Sequence, residues 1–350
     1  MPENTISPPS QRIRGVLAPV VTPFKADLSP GRQRFIRHCQ WLLSHNCGLA
    51  VFGTNSEANS MSAEERSTLL DALVAAGIDP SRIMPGTGCC SITETVELTA
   101  HAVKHGCAGV LMLPPFYYKN VSEEGLYRYF SEVVQRVGDT RLRIYLYHIP
   151  PVAIVGVTPK LVERLLKAYP NAIAGMKDSS GDWNNTKTFL DAFAETARPG
   201  PTARAARTFD VFVGSESFLL ANMRNGGVGT ISATANVNPA AIHKLYEKCS
   251  GVCVKRRGNR KALAAASASI TELEDQQAQL NVVRDVFSNS RFPSMIAALK
   301  QAIAFYGNDP EWTRLRPPLV ELTTEQAKLL AAELKAIGFA MPGLATDSAS

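Results

Sequence analysis

The stretch Ala172-Ile-Ala-Gly-Met-Lys-Asp-Ser-Ser-Gly-Asp182 runs from small and apolar residues straight into a single lysine, Lys177. Hydroxyl and acidic residues and a glycine follow at once, as is typical of a turn. A short and continuous apolar run indicates a parallel strand that is buried on both faces. The stretch therefore predicts a buried strand that places a cation at its carboxyl end.

Seven further apolar runs of strand length alternate with helical patterns along the chain. The eight predicted strands are Val16–Pro23, Gly48–Gly53, Ile83–Gly86, Gly109–Leu113, Arg143–His148, Ala172–Lys177, Phe209–Val213 and Gly229–Ser232. Eight βα units in one chain favour an α/β fold, the (β/α)8 TIM barrel. A doubly wound open sheet is the alternative, because a sequence cannot show whether a sheet closes.

The order of these patterns predicts the domain organisation. We expect a catalytic barrel, a C-terminal helical region packed on the barrel and two tails, at residues 12–250, 251–340, 1–11 and 341–350. The helical region should contain helices at 259–289, 294–306 and 323–337. The segment Arg198–Arg207, with two prolines and a glycine, predicts a surface loop.

Composition limits the class of protein. Hydrophobic residues make up 45% and charged residues 19% of the 350 residues, which is typical of a soluble globular protein. No apolar run reaches the ~18–20 residues of a membrane span, and the N-terminus lacks the pattern of a secretory signal. Seven cysteines without zinc-site spacing indicate reduced thiols in the cytoplasm and no metal site.

The net charge of +6 owes much to one basic run, Lys255–Lys261. Few aromatic residues flank this run, and no nucleic-acid-binding motif occurs elsewhere in the chain. A solvated loop is therefore favoured over a nucleic-acid site. We expect neither a nucleic acid nor a membrane as a partner.

Lys177 is the only lysine at the carboxyl end of a predicted strand, which is where catalytic residues of TIM barrels lie. Two interpretations stay open at this point. One is a structural lysine paired with Asp178 or Glu216. The other is a nucleophile, because a lysine removed from water loses its proton more readily and the free amine can form a Schiff base with a carbonyl.

Two further strand ends carry groups suited to such chemistry. Tyr147 ends the strand before Lys177, and alternation puts it on the same face as Tyr145, whereas His148 should point into the helix layer. A phenol in this place can relay protons, although plain packing is the alternative. The turn Gly53-Thr-Asn-Ser-Glu57 offers consecutive backbone N–H groups for a carboxylate, although ordinary turn chemistry is the alternative.

Together these motifs resemble those of the dihydrodipicolinate synthase/N-acetylneuraminate lyase family, which are pyruvate-handling class I aldolases and lyases. The resemblance runs from about residue 12 to 335. Its carriers are Thr22-Pro-Phe24, Gly53-Thr-Asn-Ser-Glu57, Pro114-Pro-Phe-Tyr117, Tyr147-His-Ile-Pro150, Gly175-Met-Lys-Asp178 with Ser180-Gly-Asp182, and Gly226-Gly-Val-Gly-Thr-Ile-Ser-Ala-Thr-Ala-Asn236. Each motif is weak alone, and six in the family's order are specific.

The resemblance implies a (β/α)8 barrel with a C-terminal helical region, and a covalent imine in place of any cofactor or metal. Four side chains would be catalytic. Lys177 would form the Schiff base, Tyr147 would shuttle protons, Thr54 would link Tyr147 onward, and Tyr117 would be inserted by a neighbouring subunit. The chain would then act as a homodimer or homotetramer on a 2-oxo acid and an aldehyde.

The resemblance also implies how the 2-oxo acid is bound. The backbone N–H groups of Thr54 and Asn55 would hold its carboxylate, and the Ile231 carbonyl would face it. The turn departs from the family in two places, with Ser56 where glycine is common and Asn55 where many members have a second hydroxyl residue. Both departures keep the backbone donors.

A further departure concerns the second substrate. In authentic dihydrodipicolinate synthases an arginine shortly after the tyrosine grips the carboxylate of aspartate semialdehyde. Here Val152 stands in that place, and no arginine occurs between Arg143 and Arg164. We therefore expect a Schiff-base aldolase or lyase with a less charged aldehyde. The alternatives are authentic 4-hydroxy-tetrahydrodipicolinate synthase, a 2-keto-3-deoxy sugar acid dehydratase or aldolase, and a non-catalytic 2-oxo-acid-binding protein.

Overall fold

The computed structural model describes residues 12–193, 209–255 and 263–344, with side chains over 12–193, 209–250 and 270–344. The predicted loop Arg198–Arg207, the tail 1–11 and residues 345–350 of the other tail lie outside this part. So do the side chains of the basic run Lys255–Lys261.

The core of the fold is a parallel sheet of seven strands. These are β1 Gly15–Ala18, β2 Gly48–Leu49, β3 Val110–Met112, β4 Ile144–His148, β5 Ile173–Asp178, β6 Asp210–Val213 and β7 Gly229–Ile231. Their order is β2-β1-β7-β6-β5-β4-β3, so β2 and β3 are the two edges. All strands are buried, which is why short apolar runs predict them.

The segment Ile83–Gly86 lies between the two edges and joins them. Met84 N–H donates to the Leu49 carbonyl at 2.8 Å, and Leu111 N–H donates to the Pro85 carbonyl at 2.9 Å. The segment makes single parallel bridges and is not the regular strand that the sequence predicted, because Pro85 has no N–H to donate to a ladder. The TIM barrel with a C-terminal helical region is nevertheless confirmed.

Helices follow the strands and form the outer layer. Within the described residues they are α1 Arg32–Ser44, α2 Ala63–Ala75, α3 Ile92–Lys104, α4 Glu123–Val137, α5 Pro150–Ala153, α6 Pro159–Ala168, α7 Trp183–Phe193, α8 Leu219–Arg224, α9 Pro239–Lys255, α10 Leu263–Phe287, α11 Met295–Gly307 and α12 Thr324–Ala336. None of them is long and apolar enough to cross a membrane. The last three match the helices predicted after the barrel.

Two large apolar clusters, and a small third one around Ile296 and Leu315, result from this arrangement. The largest fills the space between strands and helices, and the second fills the barrel interior. Tyr145 and Tyr147 both belong to the inner core, as their alternation on β4 predicts, and Tyr145 packs edge-on against Phe212 of β6. The interior is thus a packed support under the carboxyl ends of the strands.

The C-terminal helices pack on the barrel through α10 and α11. A fully buried ion pair of 2.8 Å joins Lys300 on α11 to Glu57 after β2. Arg316 N–H donates to the other oxygen of Glu57, and the Arg316 guanidinium lies over the Phe24 ring at 4.7 Å. The barrel motifs around Phe24 and Glu57 are therefore fixed by residues from the end of the chain. The boundary at residue 250 stays a prediction.

Candidate active site

Lys177 and Tyr147 lie side by side at the carboxyl ends of β5 and β4. The parallel register pairs the two residues directly. Lys177 Nζ donates to Tyr147 Oη at 3.2 Å and lies 4.3 Å from the centre of the phenol ring. Both side chains are 3% exposed. Strand β5 thus places a buried amine beside a phenol.

The turn after β2 extends this pair. Thr54 Oγ1 lies 3.2 Å from Tyr147 Oη, so three polar groups form a chain from Lys177 to Thr54. The Ser56 hydroxyl accepts from Gly53 N–H and closes the turn, which gives Ser56 a structural use where glycine is common. Among the described residues, the backbone N–H groups of Thr54 and Asn55 make no hydrogen bond.

The carboxylates near Lys177 are engaged elsewhere. Asp178 accepts from Ser180 N–H at 2.8 Å and, through its other oxygen, from Asn185 and Thr186 of α7. Within the described part of the chain Lys177 has no ion pair. The interpretation of Lys177 as a structural lysine paired with Asp178 is therefore wrong for this structure.

Glu216 also has partners of its own. Its two oxygens accept from the Ser232 and Thr234 hydroxyls, and Arg284 Nη1 lies 3.0 Å from Oε2. Because Glu216 is only 1% exposed, these contacts hold its charge in a buried place. A pair with Lys177 is thus absent here too.

His148 lies on the helix side of β4, as predicted. Its Nδ1 accepts from Val157 N–H at 2.9 Å, and its ring contacts Phe189 of α7. Burial lowers the pKa of His148, and the charge of nearby Asp178 opposes this shift. A neutral imidazole with a backbone partner is structural, so His148 plays no part in the site.

A cavity of about 200 Å³ opens above Lys177. Of the predicted site residues, Thr54, Asn55, Tyr147 and Lys177 line it. Ile231 is fully buried at the end of β7 and does not line it; Ala233, two residues on, does. The structure therefore brings together four of the six predicted residues.

Tyr117 lies at the surface of this chain, away from the cavity. It is 72% exposed, and its ring contacts the ring of Tyr118, which is equally exposed. Neither residue lines the cavity described above. The predicted role for Tyr117 thus requires a second copy of the chain.

Arg284 and Met295 line the cavity and were missed by the sequence analysis. They come from α10 and from the first position of α11, outside the barrel. Sequence reasoning assigned cavity residues from strand ends alone, and a helix crossing the barrel mouth leaves no mark at those ends. Val152, in contrast, is 60% exposed on α5 and is absent from the cavity wall.

Comparison with known proteins settles the family. The model of the dihydrodipicolinate synthetase family matches residues 12–337, nearly the whole chain. The chain belongs to this family. Its members are lyases and class I aldolases, which form a lysine Schiff base with pyruvate and need no metal ion.

Individual members of the dihydrodipicolinate synthetase family give the same result. The chain is 29% identical over 326 residues to an uncharacterized DapA-like lyase from Chloroflexus aurantiacus, covering 93% of this chain and 97% of the relative. It is 37% identical over 238 residues to 4-hydroxy-tetrahydrodipicolinate synthase from Thermus thermophilus, covering 67% and 73%.

Solved structures of the family superpose over the same span. Dihydrodipicolinate synthase from Agrobacterium tumefaciens C58 matches with a TM-score of 0.76 and 28% identity, covering 93% of this chain and 99% of the other. A prophage protein of the dihydrodipicolinic acid synthase family from E. coli K12, in complex with pyruvate, matches with a TM-score of 0.76 and 25% identity over the same shares.

Proposed function

We propose that this protein is a class I aldolase or lyase in which Lys177 forms a Schiff base with pyruvate or a related 2-oxo acid. The observation that carries the proposal is the buried Lys177 amine, which contacts the Tyr147 phenol and pairs with no carboxylate of the described residues. A lysine amine at the end of a barrel strand, beside a phenol, can attack a carbonyl carbon and form a Schiff base.

The reaction follows from the amine. Lys177 Nζ attacks C2 of the 2-oxo acid, and the carbinolamine loses water to give an iminium. The iminium withdraws electrons, so a proton leaves C3 and an enamine forms. The enamine C3 then attacks an aldehyde carbon, the new alkoxide takes up a proton, and water releases the product from Lys177. The reverse sequence cleaves the same C–C bond.

The phenol and the turn supply the rest. Tyr147 Oη lies 3.2 Å from both Lys177 Nζ and Thr54 Oγ1, so it can pass protons between the carbinolamine and Thr54. The unengaged N–H groups of Thr54 and Asn55 suit the carboxylate of the 2-oxo acid. The Ile231 carbonyl remains a proposed contact, since Ile231 does not line the cavity.

The remaining proposals concern the assembly and the compartment. Tyr117 would complete the proton path from a neighbouring subunit of a homodimer or homotetramer, which accounts for an aromatic residue that is 72% exposed. One structure with the same fold and 24% identity is of a monomeric dihydrodipicolinate synthase variant. Among the described residues, Cys39, Cys47, Cys89, Cys90 and Cys107 are free thiols, which suits the cytoplasm.

Arg284 bears on the second substrate. Val152 led us to expect a less charged aldehyde, but a guanidinium lines the cavity from α10 instead. Its Nη1 is held by Glu216 and Ser232, while Nε and Nη2 have no partner among the described residues. Its partners follow β6 and β7, whereas Tyr147 is on β4, and β5 with Lys177 lies between them in the strand order. This observation favours a second candidate function, the condensation of pyruvate with a carboxylate-bearing aldehyde.

Reductive trapping tests the main proposal. The protein is incubated with pyruvate and sodium borohydride, and the adduct is mapped by peptide mass spectrometry. We expect the reduced adduct on Lys177. If a panel of 2-oxo acids leaves folded protein unlabelled, the proposal is wrong and the non-catalytic binding protein becomes the better interpretation.

A charge-matched pair of aldehydes tests the second candidate. Condensation of pyruvate with 4-oxobutanoate and with its methyl ester is measured for the wild type and for Arg284→Met. We expect the wild type to prefer the anion by at least about tenfold in kcat/KM and the variant to lose that preference. If both proteins reacted equally well with the anion and with the ester, the less charged aldehyde would be supported instead.

A further inference from the structure

A cluster of three potential metal ligands lies on the outer helix layer, away from the strand ends. Asp71 is on α2, and His101 and His105 are at the end of α3. Asp71 Oδ1 lies 2.8 Å from His101 Nε2 and 2.7 Å from His105 Nε2. The three ligand atoms lie within 4.8 Å of one another.

Helical spacing brings the two imidazoles together. His105 caps α3 in helical conformation, and its N–H donates to the His101 carbonyl at 3.2 Å. Residues four apart lie on one helix face, so both side chains point the same way. The two ring centres are 4.7 Å apart and the rings meet edge to face. The carboxylate from α2 closes the third side.

One contact in this cluster is not a hydrogen bond. His101 Nε2 is buried and has no hydrogen-bond partner among the described residues, although it lies 2.8 Å from Asp71 Oδ1. The close approach without alignment leaves a buried polar atom unsatisfied, which is unfavourable. His105 Nε2, in contrast, is aligned with the same oxygen. A cation between the three atoms would satisfy all of them.

We propose that Asp71, His101 and His105 form a binding site for Zn²⁺. Zinc takes imidazole nitrogen and carboxylate oxygen at about 2.0 Å in a tetrahedron, which sets the ligand atoms about 3.3 Å apart. The present separations differ from this value by amounts that side-chain rotation can supply. Two histidines and one carboxylate leave a fourth position for water or for a donor from another molecule.

The ion would join α2 to α3 independently of the Schiff-base chemistry. Both helices belong to the layer around the strands that support the site, and an ion that binds only the folded chain stabilises it. Imidazole and carboxylate groups also bind Cu²⁺ and Ni²⁺, but these ions favour square-planar or tetragonal coordination. Zn²⁺ has no such preference of its own and accepts a tetrahedral set, so we assign the site to Zn²⁺.

Metal titration of the full chain tests the proposal. The cysteines are first blocked with iodoacetamide, because thiols also bind zinc. Zn²⁺ binding is measured by calorimetry, and Co²⁺ reports coordination through its visible absorption. The variants are His101→Gln and Asp71→Asn. The control is His243→Gln, since His243 pairs with Glu247 on α9 at 3.1 Å but has no second imidazole.

We expect one equivalent of Zn²⁺ in the wild type and in His243→Gln, with a tetrahedral Co²⁺ spectrum. His101→Gln and Asp71→Asn should bind at least about tenfold more weakly. Equal binding by His101→Gln and the wild type would overturn the site. So would a Co²⁺ spectrum typical of the octahedral aqueous ion.

Discussion

Among the described residues, two lysines are buried near the carboxyl ends of the barrel strands, and their surroundings differ. Lys300 is fully buried and pairs with the Glu57 carboxylate at 2.8 Å, above the Phe24 ring. Lys177 is 3% exposed and contacts the Tyr147 phenol, with no carboxylate of the described residues as a counter-ion. The same side chain is thus neutralised in one place and left unpaired in the other.

The two buried lysines are suited to different purposes. A buried ammonium paired with a carboxylate fixes two elements to each other, and here it ties α11 to the turn after β2. A buried amine beside a phenol contributes little to that purpose but can attack a carbonyl. Burial alone therefore does not distinguish the two lysines; the charge of the partner does.

Replacing Lys177 should produce the largest effect on activity. We expect Lys177→Met to lower kcat by at least about 10⁴-fold, because no other described amine lines the cavity. Its free energy of unfolding should stay within about 1 kcal/mol of the wild type, since no charge loses its partner. Steady-state kinetics and urea denaturation measure the two quantities. If Lys177→Met kept its turnover, Lys177 would not be the nucleophile and would not differ in function from Lys300.

Replacing Lys300 should lower stability. Lys300→Met leaves the Glu57 charge buried and unpaired, so we expect a loss of about 3–5 kcal/mol in the free energy of unfolding. The double variant Glu57→Gln/Lys300→Met should recover part of this loss. Urea denaturation of all three proteins gives the coupling energy. A single variant as stable as the wild type would contradict the structural assignment.

The phenol contact can be tested with a neighbour on the same strand. Tyr147→Phe removes the hydroxyl between Lys177 and Thr54, and we expect kcat to fall by about 10²–10⁴-fold. Tyr145→Phe is the control, because the Tyr145 hydroxyl is buried without a partner among the described residues. It should keep kcat within about threefold. Equal effects of both variants would point to packing and not to proton transfer.

The smallest expected effect is a dependence of stability on pH. Burial lowers the pKa of Lys300 from its ordinary value of 10.5, against the opposing effect of Glu57. Between the lowered value and 10.5, the unfolded chain holds a proton that the folded chain has released. The free energy of unfolding of the wild type therefore rises with pH in that window, relative to Glu57→Gln/Lys300→Met.

Denaturation at pH 8, 9 and 10 measures this difference. One titrating group limits the slope to about 1.4 kcal/mol per pH unit. Other groups that titrate in this range are present in both proteins and cancel. A difference that is constant or falls with pH would mean that Lys300 is not penalised by burial.

The barrel was predictable because each strand is a local apolar run that is buried on both sides. The adjacent positions of Lys177 and Tyr147 were predictable for the same reason, since strand ends meet at one rim. The irregular segment Ile83–Gly86 was not, because its pattern is that of a strand and only Pro85 signals the missing ladder donor.

Contacts between distant parts of the chain could not be predicted from the sequence. Lys300 and Glu57 are 243 positions apart, and nothing near either residue indicates the other. Arg284 escaped notice because a helical pattern does not show which residue a helix turns toward a cavity. The roles of Thr54, Asn55, Tyr117 and Ile231 stay predictions.

Arg284 and Met295 have a consequence for the order in which the molecule is made. The ribosome completes Lys177, Tyr147 and Thr54 well before it reaches α10 and α11. Until Met295 has emerged, the chain lacks two of the residues that line the cavity around Lys177 in the complete structure. The cavity around Lys177 is therefore complete only after the C-terminal helices α10 and α11 have been made.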